Sequence, residues 1–197
     1  MSSPVGPSPV DPNNVMMTGE NSFIRYSPDG GKTQPDRASH WRVLWCPAGA
    51  GHVLFMRSTL TDGEARIWSD NPPVARWLQQ EIESYLFPAF ADAATPVAPA
   101  AFTRSGGIDS RAAELVTAKD AEILLSWEDF LTPFVLNMPP GSANRPIGVF
   151  STFFPAKTAR ISLNGRVASG MPYAEKRGER ESTSACLAWS ETWVRPK

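Results

Sequence analysis

The 197-residue chain is short of the residues from which many catalytic centres are built: two cysteines, two histidines, and 19 basic against 20 acidic side chains for a net charge of -1. Each shortage excludes something. A near-neutral chain has no long-range field with which to hold a polyanion or an acidic membrane, so no nucleic acid partner is expected. No stretch approaches the ~20 consecutive apolar residues of a membrane-spanning helix, and the N-terminus lacks the basic start and apolar core of a secretory signal. The expectation is a soluble, cytoplasmic protein with no membrane partner. Cys46 and Cys186 lie far apart in apolar, strand-like runs and are expected as buried free thiols. No CxxC or HxxxH spacing is present, and although Cys46 and His52 could meet across a turn, two ligands make no metal site.

Cofactor motifs are missing too. There is no GxSxG elbow, no phosphate-cradling GxxxxGK[ST] loop and no GxGxxG between a strand and a helix; Gly49-Ala50-Gly51 leads into a strand instead. No cofactor is expected, and no internal repeat is found.

What the chain does have is aromatic side chains, seven Trp and ten Phe, and alternation broken by turn formers. The clearest local signal is Ile147 to Met171. Asn164-Gly165 supplies the two positive-φ residues of a type I′ hairpin, which predicts the pairs Leu163/Arg166, Ser162/Val167, Ile161/Ala168 and Ala159/Gly170. Ile147 to Phe154 reads as a central strand, Trp41–Cys46 with His52–Thr59 as a second hairpin, Glu64 to Trp68 as a short strand, and Arg111–Thr117 with Glu122–Trp127 as a third hairpin. Phe130 to Met138 suits an edge strand and Ser184 to Val194 closes the chain. Residues 27–39, 87–101 and 174–182 read as loops or connections.

One helix is expected near residues 72–87. Asn71-Pro72-Pro73 is a sound start, Val74, Trp77, Leu78, Ile82, Tyr85 and Leu86 recur at helical spacing, and Arg76, Gln79, Gln80 and Glu83 are predicted to point away. The predicted fold is mainly β: a single antiparallel β-barrel or strongly curved sheet, lipocalin-like in general shape, with that helix inserted; a two-sheet β-sandwich is the alternative. Residues 1–21, rich in Pro, Ser, Asn and Gly, are expected as a disordered or extended arm, and 22–197 as one β-rich domain.

The expected function is that of a cofactor-independent enzyme working by general acid-base chemistry on a hydrophobic, aromatic or terpenoid-like small molecule in an aromatic-lined barrel cavity: a lyase, hydratase, isomerase or cyclase. Glu191 is the leading catalytic candidate. Strict alternation puts it on one face with Leu187, Trp189 and Trp193, an apolar setting that raises a carboxyl pKa. Arg57 and His52 are the candidates to orient or polarise the substrate, and Trp189, Trp193, Trp45, Phe55 and Phe150 to bind it. Glu114 and Glu122 on one hairpin, and Glu128-Asp129 at a strand end, rank below Glu191. Two alternatives stand beside the enzyme: a non-catalytic carrier or sensor with the same barrel, and a structural or assembly protein that buries its arm and helix on another chain, with a homodimer as one such form.

Overall fold

The computed structural model describes residues 10–196, and in it the chain is mostly strands. In order they are β1 (Val15–Tyr26), β2 (Asp36–Trp45), β3 (Gly51–Arg57), β4 (Ala65–Ser69), β5 (Val97–Gly106), β6 (Arg111–Ala118), β7 (Ala121–Phe130), β8 (Phe134–Met138), β9 (Gly148–Leu163), β10 (Arg166–Val167), β11 (Ala174–Arg177), β12 (Arg180–Thr183) and β13 (Ala185–Val194). Strands β9, β13, β1, β2, β3, β4, β5, β6 and β7 pair in turn, and β7 returns to β9, closing a nine-stranded barrel. All these pairs are antiparallel except β4–β5, which run parallel over three residue pairs. Strand β9 makes closure possible because it is long: its first half lies between β13 and β8, and its second half pairs with β7.

The barrel with one inserted helix is therefore as the sequence predicts, and the sandwich is not formed. The helix consists of α1 (Pro72–Leu78), a π-helical turn over Gln79–Glu83 and a last turn, α2 (Ser84–Leu86). Its apolar stripe, Val74, Ala75, Leu78 and Ile82, covers the outer face of the wall through Trp41, Val43, Val53, Phe55 and Ile67. Among the described residues no helix is long and apolar enough to cross a membrane. Alternate residues of the same strands face the lumen, which Tyr26, Leu54, Met56, Trp68, Leu125, Trp127, Ile161 and Leu187 fill as one packed cluster. Tyr26, Trp68 and Trp127 thus pack the lumen where an aromatic-lined cavity was expected, as side chains fill small barrels.

Several sequence expectations change. The arm ends earlier than residue 21: Val15 to Asn21 belong to β1, which sits between β13 and β2 in the wall, while residues 1–9 lie outside the described residues. Composition misleads there because Thr18, Gly19, Glu20 and Asn21 are polar or small yet placed centrally. Strand β2 starts at Asp36 inside the expected loop, held by Asp36 Oδ1, which accepts hydrogen bonds from Ser58 and from the Thr59 amide and hydroxyl. Residues 97–106 form β5, and 174–183 form the hairpin β11–β12. The helix turns Gln79 and Glu83 inward, because the π turn shifts the face by about one residue relative to a 3.6-residue repeat.

The Asn164-Gly165 hairpin forms with the predicted first two pairs, and both turn residues have positive φ. It then stops. Strand β10 is two residues long, Ile161 receives only the Ala168 amide, and the Ala159–Gly170 pair does not form, while β7 pairs with β9 along its opposite edge. The Tyr26 hydroxyl fills the gap, donating to the Ala159 carbonyl at 2.8 Å and accepting from the Ile161 amide at 3.2 Å.

Candidate functional site: an arginine-lined crevice

Glu191 lies where β13 breaks its alternation. Trp189 pairs with Thr152 and Thr192 with Phe150, so Ser190 and Glu191 together oppose Ser151; Ser190 takes φ 54°, the mark of a bulge. The extra residue turns Glu191 and Trp193 to the outer face while Leu187 and Trp189 stay in the lumen. The single face predicted for Leu187, Trp189, Glu191 and Trp193 is accordingly split in two. Glu191 is 3 % exposed and accepts the Trp193 indole N–H at 3.0 Å. Burial pushes its pKa up to about 8, against the pull of hydrogen bonds from Trp193 and Ser151 and with a further push from Glu20 and Glu83. At neutral pH the carboxyl is largely protonated, a donor as well as an acceptor.

This carboxyl opens on a crevice of about 120 Å³ between the outer faces of β1, β13 and β9, the end of the helix, and β8. Phe23, Phe153, Leu136, Met138, Val149 and Leu86 make its apolar walls. Four arginines enter it from four places in the chain: Arg25 on β1, Arg37 on β2, Arg145 after the turn Ser142–Asn144, and Arg177 at the tip of β11. Arg25 and Arg37 are direct cross-strand partners, an arrangement that repels unless something offsets it. Carboxylates supply part of the offset. Glu175 accepts from Arg25 at 2.7 Å and from Arg177 at 3.0 Å, and Glu83, fully buried on the inner side of the π turn, lies 3.5 Å from Arg37. Aromatic faces help, with the Arg25 guanidinium 5.2 Å from the Phe23 ring centre and Arg37 4.8 Å from that of Phe87.

The offset is incomplete. Burial, then repulsion from neighbouring arginines, holds Arg37 and Arg145 below the usual guanidinium range. Burial also raises Glu83, although Arg37, Trp41 and Ser39 all favour its charged form. The buried Nε atoms of Arg37 and Arg177 have no hydrogen-bond partner, and among the described residues no carboxylate lies within salt-bridge distance of Arg145.

The other predicted site residues do not gather here, apart from Trp193, which lines the crevice. Arg57 shares the outer face with Val53 and Phe55 as expected, but that face is not the lumen, and its guanidinium donates to the Gly63 carbonyl at 2.8 Å. Phe55 is core, packed against Phe90 at 5.4 Å. Trp45 is 50 % exposed at the end of β2, and Phe150 is half-buried on β9 opposite Thr192. Trp189 packs on Phe154 inside the barrel at 5.0 Å.

His52 stands at the barrel mouth in a different polar cluster. Its Nδ1 is 2.7 Å from Asp70, its ring stacks on Phe102, and His40 stacks on both at 6.1 and 5.5 Å. His40 is buried with neither ring nitrogen hydrogen-bonded; its Nε2 lies 3.7 Å from Glu114, and burial followed by Arg104 keeps it well below the usual imidazole range. Arg104 ties Glu114 to Glu20 at 3.0 and 2.6 Å. Glu122 offers its amide to Asn164, and Glu128 pairs with Arg111 in solvent.

Nothing local in the sequence marks the four crevice arginines or Glu83 as site residues. Arg37 and Arg177 fell in stretches read as loops, and only tertiary packing brings them to Arg25 and Arg145. For the histidines a signal was available: pairing Trp41 with Val53 places His40 and His52 as diagonal neighbours on the lumen face. Among the described residues no group of three or more His, Cys, Asp or Glu could hold a metal ion. Compared with known families, curated proteins and solved structures, the chain matches none of them, so the crevice must be interpreted from its own chemistry.

Proposed function

We propose that the protein binds a small organic anion in the outer crevice, with the anionic group among Arg25, Arg37, Arg145 and Arg177 and its apolar body against Phe23, Phe153 and Leu136. The observation that carries this reading is the convergence of four guanidiniums on one apolar-walled recess that also holds an uncharged carboxyl. Arginine forks match carboxylate and phosphate oxygens, and a protonated Glu191 adds a donor where an ionised one would repel. The ligand is thus placed outside the barrel.

Acid-base chemistry is the second reading, favoured by the Glu191 pKa of about 8, which suits a residue that gives up and regains a proton near neutral pH. In that reading Glu191 protonates the bound molecule and the arginines steady the charge that develops. Binding alone makes the protein a carrier or sensor.

Trp193 reports on the site because its indole bonds Glu191 at the crevice wall. Titration with benzoate and phenyl phosphate is expected to change tryptophan emission and raise the melting temperature, with the emission change much reduced in Trp193→Phe. No emission change and no thermal shift with either anion would overturn the proposal. Glu191→Gln then separates the two readings: binding retained with turnover down ~100-fold or more supports catalysis, while retained turnover removes it.

A further inference from the structure

Resting on the anion-binding reading, we infer that the crevice selects a doubly charged head group, a phosphate monoester or a dicarboxylate, carried on an apolar body. The first argument is charge. Four guanidiniums face at most two ionised carboxylates, Glu175 and Glu83, since Glu191 is largely neutral; at least two positive charges are left over in a recess where solvent screens them poorly. A monoanion leaves one of them uncompensated, whereas a dianion balances the group.

Hydrogen bonding gives the second argument. The buried Nε atoms of Arg37 and Arg177 have no acceptor, and among the described residues no carboxylate lies within salt-bridge distance of Arg145; the three approach from β2, the β11–β12 hairpin and the loop before β9. One carboxylate offers two oxygens in one plane; a phosphate or a pair of carboxylates offers oxygens in several directions. Size gives the third. About 120 Å³ holds a compact charged group and no large body, so the remainder of the ligand must lie along Phe23, Phe153 and Leu136. With the dianion seated, Glu191 is held still more firmly in its protonated form, because a second negative charge beside it penalises ionisation.

The test is calorimetric titration of the full chain at pH 7 and low salt with phenyl phosphate, phthalate, benzoate and benzamide. The expected result is that phenyl phosphate or phthalate binds at least tenfold more tightly than benzoate, that benzamide gives no signal, and that inorganic phosphate competes. The tighter of the two dianions identifies the head group. Arg145→Gln and Arg177→Gln are expected to weaken the dianion at least tenfold, while the exposed Arg111→Gln does not. Arg145→Lys, which keeps the charge but not the fork, serves if the glutamine variant folds poorly, and is expected to show intermediate affinity. Benzoate binding as tightly as the dianions would overturn the head-group assignment and leave the anion site standing. Failure of all three anions to bind would overturn both, and dianion binding unaffected by either arginine variant would place the ligand elsewhere and overturn the assignment to this crevice.

Discussion

A single carboxyl, Glu191, makes the protein's stability depend on pH in a direction that can be worked out. Its ordinary pKa is 4.5 and its folded value about 8. Below 4.5 the group is protonated in both states and folding loses nothing by burying it. Between the two values the unfolded chain releases the proton while the folded chain keeps it, so stability falls as pH rises; above 8 the loss is complete, a few kcal/mol in all. Glu83 is raised as well, which is why the wild-type curve alone is not the test. Glu191→Gln keeps an acceptor for the Trp193 indole but carries no titrating proton. The melting temperature of the wild type is expected to drop from pH 5 to pH 9 more steeply than that of the variant, at roughly 2 to 4 °C per kcal/mol for a chain of this size. Parallel curves would show that Glu191 ionises normally. The bracketing tryptophans made this residue legible in the sequence: an acid two residues from an indole on an apolar strand is a candidate for desolvation wherever the strand goes. The bulge at Ser190 was not legible, since no glycine or proline marks it, and it is this bulge that turns Glu191 and Trp193 away from the lumen face that Trp189 keeps.

At the scale of elements, local turn chemistry was readable and the importance of each turn was not. Asn164-Gly165 and Asp62-Gly63 both form turns with positive φ, at 76° for Gly165 and 77° for Gly63, and a Cβ at either glycine meets open space. The strands they serve differ. Asn164 joins long β9 to the two-residue, exposed β10, whereas Gly63 leads into β4, a full member of the barrel wall. Gly63 is also tied in by its own backbone: its amide donates to Ser58 at 2.9 Å and its carbonyl accepts from Arg57 at 2.8 Å. Gly63→Val is therefore expected to lower stability by ~1 to 2 kcal/mol, and Gly165→Val by less, because fraying β10 releases the strain. Urea unfolding of the two variants decides it, and a larger loss for Gly165→Val would show that β10 matters to the wall. The hairpin sequence predicted two strands of comparable standing, but the Tyr26 hydroxyl of distant β1 takes the Ala159 and Ile161 backbone groups that a longer β10 would have used. Such competition between distant segments is invisible to local periodicity, as is the use of polar or small Thr18–Asn21 in a central strand or of a π turn that buries Glu83.

The whole molecule is closed by backbone pairing, but one side-chain tie also crosses it. Three strands separate β1 from β5 in one direction around the barrel and four in the other, yet Arg104 of β5 reaches Glu20 of β1 at 2.6 Å while holding Glu114 of neighbouring β6 at 3.0 Å. Its guanidinium also lies 6.0 Å from the Trp189 ring centre, so the arginine bridges opposite walls over the packed lumen. Removing it leaves the buried Glu114 without its cation. Burial already raises the Glu114 pKa, with Arg104 the main restraint, so without the arginine the carboxyl is held neutral over a wider pH range. Arg104→Met keeps much of the side-chain volume and is expected to cost roughly 1 to 3 kcal/mol at pH 8, between the values typical of exposed and of buried pairs. The cost is expected to be smaller at pH 5, where the orphaned Glu114 protonates in the folded state with little loss. Adding Glu114→Gln should recover part of the stability at pH 8, since the partner then carries no charge to strand. Arg111→Met, at an exposed pair with Glu128, is the comparison and should cost under about 1 kcal/mol. A double-mutant cycle in urea at both pH values measures the coupling, and additive, pH-independent losses for Arg104 and Glu114 would mean that the tie contributes nothing to holding the barrel closed.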